Sequence, residues 1–145
     1  MNQSSLINKF GNPLTHQTAF ENEWMQLWNL PSDMKFKLPV LPSKLYTNKL
    51  IKQPLIDAFA CIIAKNQTIN TWDGCFEPRL QRGSDRVSLH AFGLAIDINA
   101  LTNKQGTKGN MNQDIINCFE QQGFIWGGRF GGNRIDAMHF EFLKF

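Results

Sequence analysis

The chain has 145 residues, 42% hydrophobic and 19% charged, which is the make-up of one globular domain and excludes a disordered or fibrous chain. Fifteen Lys and Arg against twelve Asp and Glu leave a net charge of +3, and the basic residues are too scattered to form a nucleic-acid stripe. No apolar run reaches membrane-spanning length, and MNQSSLINKF lacks the basic-then-apolar order of a signal peptide, so synthesis in the cytoplasm is expected.

Taken in chain order, the first predicted element is a helix from Thr15 to Leu30, with Thr15 as cap, Phe20, Trp24, Leu27 and Trp28 at helical spacing, and Pro31 as its stop. The proline-rich PSDMKFKLPVLPSKLYTN reads as an extended connection. A second helix is predicted over Leu50 to Asn66, with Pro54 in its first turn and an apolar stripe of Leu55, Phe59, Ile62 and Ile63. TWDGCFEPRLQRGSDRVSLHAFG is long, polar and irregular, and long loops in compact domains tend to carry function. It runs into a strand, LAIDIN, which places Ala95, Asp97 and Asn99 on one face and Leu94, Ile96 and Ile98 on the other. A third helix starts at Asn112 or Asp114 and stops at Gly123. The terminal MHFEFLKF alternates, with His139, Glu141 and Leu143 on one face and Phe140 and Phe142 on the other. Helices and short strands without a βαβ rhythm predict an α+β fold with a small antiparallel sheet, helices packed on one side, and a cleft over the sheet. Cys61, Cys75 and Cys118 are odd in number and form no CxxC pair. This argues against a disulfide framework, for a reducing compartment, and for Cys61 and Cys118 as small buried hydrophobes.

Asp97 is the residue that calls for chemistry. A carboxylate among apolar β-formers costs several kcal/mol unless it is paired or holds a metal. His90 lies seven residues upstream, past Gly93, and His139 sits in the last strand between Met138 and Phe140. If the two strands pair, His90, Asp97 and His139 converge. Such a set suits zinc and leaves a fourth position for water. Asp136, three residues before His139, is the expected proton acceptor, with Glu141 as the competing candidate. Arg79 and Arg82 precede His90 and could meet a developing oxyanion. Each of these residues alone has an ordinary reading, as a satisfied histidine, a turn aspartate or a solvated arginine; their combination carries the argument. His16 has no acid partner and reads as a surface residue.

SLHAFGLAIDIN resembles the SxHxxGxAxD signature of the M15 peptidases. GFIWGGRFGGNRIDAMHFE resembles the GFxWGG and DxxHFE segments of a phage endolysin-like subgroup of that family. The resemblance covers residues 45–145. It implies that His90, Asp97 and His139 hold Zn2+, that Asp136 is the catalytic base, that Arg79 (or its rival Arg82) binds substrate, that Ser88 bonds substrate or orients the loop, and that Trp126 with Gly127 and Gly128 lines the substrate cleft. Its implied activity is hydrolysis of the stem peptides of bacterial peptidoglycan, as a D-Ala-D-Ala carboxypeptidase or an L-Ala-D-Glu endopeptidase. The organisation expected is a single peptidase domain over residues 1–145, with 1–44 as an N-terminal helix and extended segment and 45–145 as the catalytic core. The chain is expected to be a monomer that reaches the cell wall or periplasm by release or delivery. The rival reading is a zinc-containing module that binds cell wall or serves in a phage particle without catalysis.

Overall fold

The computed structural model describes residues 1–145 and begins with a helix, α1 (Gln3–Phe10), outside the predicted elements. Asn2 caps it by accepting from Ser5 N at 2.9 Å, and Leu6 and Phe10, one turn apart, are its buried face.

The helix predicted from Thr15 to Leu30 is only half present. Helix α2 (Gln17–Trp24) ends at Trp24, and the chain continues as strand β1 (Met25–Asn29). This strand pairs antiparallel with β2 (Lys44–Asn48), Met25 opposite Asn48 and Asn29 opposite Lys44. A backbone ladder and a buried bond from Trp28 Nε1 to Thr47 Oγ1 at 2.9 Å override the helical pattern. Leu27, which the pattern counts as core, is 58% exposed. The stretch predicted as extended also differs, because Ser32–Lys37 forms a short helix, α3, before β2.

Helix α4 (Lys52–Ala64) follows the prediction closely. Pro54 sits in its first turn, where a missing N–H costs nothing, and Leu55, Phe59 and Ile62 are fully buried. Helix α5 (Gln113–Gln121) is capped by Asn112, whose side chain accepts from Asp114 N and Ile115 N. It ends just before Gly123, which adopts φ +97°. The cysteine expectation is overturned here. Cys61 on α4 and Cys118 on α5 form a disulfide, with their Cα atoms 5.6 Å apart, and only Cys75 is free. Packing of α4 on α5 brings together two cysteines 57 residues apart, a proximity that spacing along the chain cannot report.

Four strands form the second sheet: β3 (Trp72–Gly74), β4 (Ala95–Ile98), β5 (Phe124–Trp126) and β6 (His139–Phe142). They are antiparallel in the order β3-β4-β6-β5. The β4–β6 register sets Ala95 opposite Glu141, Ile96 opposite Phe140 and Asp97 opposite His139. Directly opposed residues share a face, and the face alternates along the strand. Ile96 and Phe140 therefore point one way, where Phe140 stacks on Phe119 of α5 at 4.3 Å between ring centroids. Asp97, His139 and Glu141 point the other way. The fold is α+β as predicted, with two small antiparallel sheets instead of one.

The N-terminal segment joins the same core. Leu6, Phe10, Phe20, Trp28, Leu38 and Leu41 are buried in the apolar cluster that contains Phe92 and Ile96. The seam is tight at Gly93. Its φ is +65°, and a Cβ there would collide with the Met25 side chain and lie 2.7 Å from Asn48 N. Asn48 N donates to Gly93 O at 3.1 Å and Asn48 Nδ2 to Phe92 O at 3.0 Å, so only a residue without a side chain lets β2 close on this turn.

Candidate metal centre

His90 lies in a short 3-10 turn, Leu89–Phe92, that leads into β4. Ser88 caps the turn, its hydroxyl oxygen accepting from His90 N at 3.2 Å. Gly93 in the left-handed conformation then reverses the chain, so that His90 returns to the Asp97 side of the sheet. His90 Nε2 is 3.2 Å from Asp97 Oδ2, and His139 Nδ1 is 3.2 Å from Asp97 Oδ1. One ligand atom from each of the three residues falls within 4.8 Å of the others. All three side chains are largely shielded from solvent.

The remaining ring nitrogens test whether this donor set fits a metal. His90 Nδ1 is 2.7 Å from the Cys75 carbonyl oxygen, an acceptor only, so Nδ1 carries a proton and Nε2 is the nitrogen left to face Asp97. His139 Nε2 is 2.9 Å from Glu141 Oε1, which fixes that nitrogen as the donor and leaves Nδ1 to face Asp97. Each imidazole thus anchors its far nitrogen and aims the near one at the carboxylate, donating to it in the absence of a cation and offering a lone pair to a cation that displaces the proton. Two imidazole nitrogens and one carboxylate suit zinc among the common ions. His90, Asp97 and His139 fit a divalent metal.

Electrostatics agree with a charged group between the two rings. Burial alone would raise the Asp97 carboxyl, but hydrogen bonds from His139 and His90 outweigh it and hold the group far below the usual carboxylate range. Burial alone would lower His139, yet hydrogen bonds to Asp97 and Glu141 push it up to about 10. Asp136 moves the other way. Its burial raises its pKa, against the pull of His139, His90 and Arg79 and with the push of Asp97.

Around the three residues opens a cleft of about 500 Å3. Arg79, Arg82, Ser88 and Asp136 line it together with His90, Asp97 and His139. Three buried side-chain polar atoms lack a hydrogen-bond partner, namely Asp136 Oδ1, Arg79 Nε and Gln3 Nε2. Arg79 Nε stands 3.3 Å from Glu77 Oε2 but off hydrogen-bond geometry. All three residues line this cleft, and unsatisfied buried groups are rare enough in native folds to mark a working site.

Trp126 stands elsewhere. It is on β5, outside the cleft lining, and its indole Nε1 donates to Ala137 O at 2.8 Å. Its place in the sequence beside the glycines hid a supporting role, which is to fix the backbone between Asp136 and His139. Gly127 has the sharper steric duty. A Cβ there would strike Asp136 O and stand 3.1 Å from His139 Cβ, and Gly127 O accepts from Asp136 N at 2.9 Å. The second glycine signal therefore marks the close approach that sets Asp136 beside His139. Glu141, weighed in the sequence as a competing base, is occupied by His139.

Gln3 was not foreseen at all. Its Oε1 accepts from Val87 N at 2.7 Å, and Met1, Gln3 and Leu6 line the cleft. Helix α1 therefore forms part of the cleft wall and steadies the residue next to Ser88. No sequence signal pointed across the sequence separation of 84.

Fold and site together bring three candidate metal ligands, a partly buried acid and an arginine into one open cleft. Residues 82–142 match the M15 peptidase family model described as D-alanyl-D-alanine carboxypeptidase. The matched stretch holds His90, Asp97, Asp136 and His139, and over those 61 of its 145 residues the chain is similar to the M15 peptidases. No curated protein and no solved structure matches the chain.

Proposed function

We propose that this chain is a zinc-dependent peptidase that hydrolyses peptide bonds in the stem peptides of bacterial peptidoglycan. The observation that carries the proposal is the pair of histidines turned toward Asp97, each with its far ring nitrogen anchored, inside the stretch that matches a peptidase family. His90 Nε2, the Asp97 carboxylate and His139 Nδ1 would hold the ion. When bound, zinc supplies a Lewis acid that polarises a carbonyl and makes water a better nucleophile at neutral pH.

Asp136 takes the proton of the attacking water and passes it to the leaving amine as the C–N bond breaks. Burial keeps its proton affinity above that of an ordinary aspartate, which suits an acid that must accept and then release a proton near neutrality. Arg79 offers positive charge to the carbonyl oxygen as it becomes negative, and Arg82, more exposed on the same loop, competes for that role. Ser88 holds the backbone of His90. Trp126 acts at one remove, through Ala137. The D-Ala-D-Ala carboxypeptidase and L-Ala-D-Glu endopeptidase reactions both use this machinery. The place of action is the cell wall, reached by release or delivery, and the Cys61–Cys118 bond is of the kind that persists in an oxidising compartment.

The test is digestion of purified peptidoglycan, with mass spectrometry of the fragments. New termini within the stem peptide are expected, lost with a strong chelator and restored by zinc. Intact stems after incubation with zinc-loaded protein would refute the peptidase reading. Chelator-insensitive cleavage would refute the metal mechanism.

A further inference from the structure

One stretch of the chain concentrates positive charge. No acid stands between Asp33 and Asp57, and Lys35, Lys37, Lys44, Lys49 and Lys52 all fall there. None of these lysines is ion-paired with a carboxylate. The same stretch carries the most exposed large apolar side chain of the protein, Phe36, at 80%. Val40 and, on the neighbouring strand β1, Leu27 are exposed as well. No residue from 25 to 52 lines the metal cleft, so this surface is separate from it.

The exposure of Phe36 follows from how the segment is pinned. Met34 and Leu38 lie one helical turn apart on α3 and its C-terminal cap; Leu38 is fully buried and Met34 packs on the core. Phe36 is two residues from each, about 200° around the helix axis, and so faces away from the core. Leu41, also fully buried, pins the chain a second time. Leu41 N donates to Leu38 O at 3.1 Å, and the Lys35 ammonium donates to the carbonyls of Pro39 and Leu41. Between the two pins the chain presents Pro39 and Val40 to solvent. Lys37 Nζ stands 6.0 Å from the Phe36 ring. At the foot of this loop the β1–β2 register sets Leu27 opposite Tyr46 and Asn29 opposite Lys44, which makes Leu27 and Lys44 diagonal neighbours on one face.

An apolar tip flanked by unpaired ammonium groups has the chemistry of an anionic bilayer surface. Phenyl, prolyl and valyl groups enter the boundary between headgroups and acyl chains, while lysines keep their charge among the phosphates. A second copy of this chain would bring the same positive charges against the patch. A soluble phosphate polymer would meet the lysines and leave Phe36 and Val40 in water. No helix of the chain is long and apolar enough to cross a bilayer, so the contact is with the membrane surface.

We infer that residues 36–40, with Leu27 and the flanking Lys37 and Lys44, form a docking surface for anionic lipid membranes. The inference uses neither the metal nor the cleft, and it stands or falls apart from the peptidase reading. The test is sedimentation of the full chain with vesicles, one set of phosphatidylglycerol mixed equally with phosphatidylcholine and one of phosphatidylcholine alone. Binding to the anionic set is expected to be stronger by about tenfold or more and to weaken as salt is raised. Lys37→Gln and Lys44→Gln should each weaken it by about fivefold. Phe36→Ser should weaken it by about tenfold, with the melting temperature unchanged. Phe36→Trp should keep binding and add emission that brominated lipid quenches. Leu101→Ser removes another exposed apolar side chain, 77% accessible and outside the patch, and should bind as the wild type does. Failure of the wild type to sediment with anionic vesicles at low salt overturns the inference. So does wild-type binding by Phe36→Ser, a loss in Leu101→Ser as large as that in Phe36→Ser, or tighter binding of soluble polyphosphate than of the vesicles.

Discussion

Reduction of the Cys61–Cys118 bond is a direct test of the packing of α4 on α5, and its size can be worked from the chain. The bond closes a loop of 57 residues. Loop-closure entropy for that length is about 14 cal/mol/K, or about 4 kcal/mol at 25 °C, removed from the unfolded ensemble. For a chain of 145 residues the unfolding entropy near the midpoint is about 300 cal/mol/K. Reduction should therefore lower the melting temperature by about 13 °C while leaving the folded contacts of both helices in place. Scanning calorimetry with and without a phosphine reductant, under chelator in both arms, measures the shift. A thiol titration in denaturant without reductant should find one thiol, from Cys75. Three titratable thiols would refute the bond. One thiol with a shift below about 3 °C would refute the loop-entropy argument.

Asp136→Ala is expected to keep zinc binding near the wild-type level and to lose nearly all turnover, by about 100-fold or more; isothermal titration with zinc and a peptidoglycan assay read the two quantities separately, and full activity would remove Asp136 as base. Glu141→Leu leaves His139 Nε2 without its acceptor and should weaken zinc affinity by about 10- to 100-fold, whereas Glu141→Gln, which still offers an oxygen at 2.9 Å, should retain most of it; competition with a chromogenic chelator distinguishes them, and equal affinities for Leu and Gln would show the hydrogen bond to be idle. Tyr46 gives a pH prediction away from the cleft. Burial, then the bond from its hydroxyl to Glu21 Oε1 at 2.6 Å, push the phenol up to about 12, so the folded state holds its proton more tightly than the unfolded one. Its contribution is complete below pH 10 and is lost as pH rises from 10 through 12. In urea titrations, Tyr46→Phe should lose less stability than the wild type across that window, and parallel curves would refute the linkage.

How much of this was legible in the sequence depended on whether the signal was local. Asp97 announced itself because a carboxylate between Ile96 and Ile98 has no cheap place in a strand, and the alternation of MHFEF set His139 on the matching face. Helices α4 and α5 were readable from apolar stripes and from the Asn112 cap. Helix α1 escaped because three apolar residues, Leu6, Ile7 and Phe10, are too few to establish a period. The end of α2 escaped because Trp24, Leu27 and Trp28 have helical spacing, while the deciding partners are Thr47 and the β2 backbone. Two features came only from tertiary structure: the Cys61–Cys118 bond and the reach of Gln3 to Val87. The anchoring of His90 by Cys75 O was equally invisible, since a backbone carbonyl carries no residue type.

The pairing of Asp97 with His139 ties the metal centre to strand register. The side-chain period of a strand is two, so a slip of β6 by one residue would turn His139 into the apolar layer and bring Phe140 out over the cleft. No arrangement of the slipped sheet keeps Asp97 and His139 on one face. A cation held by all three residues would therefore bind the paired register and not the one-residue slip, and its binding energy would widen the gap between the two. A zinc ion bound there would favour the paired register as the chain folds, and chains made in zinc-poor medium should show more heterogeneous refolding than chains made with zinc present.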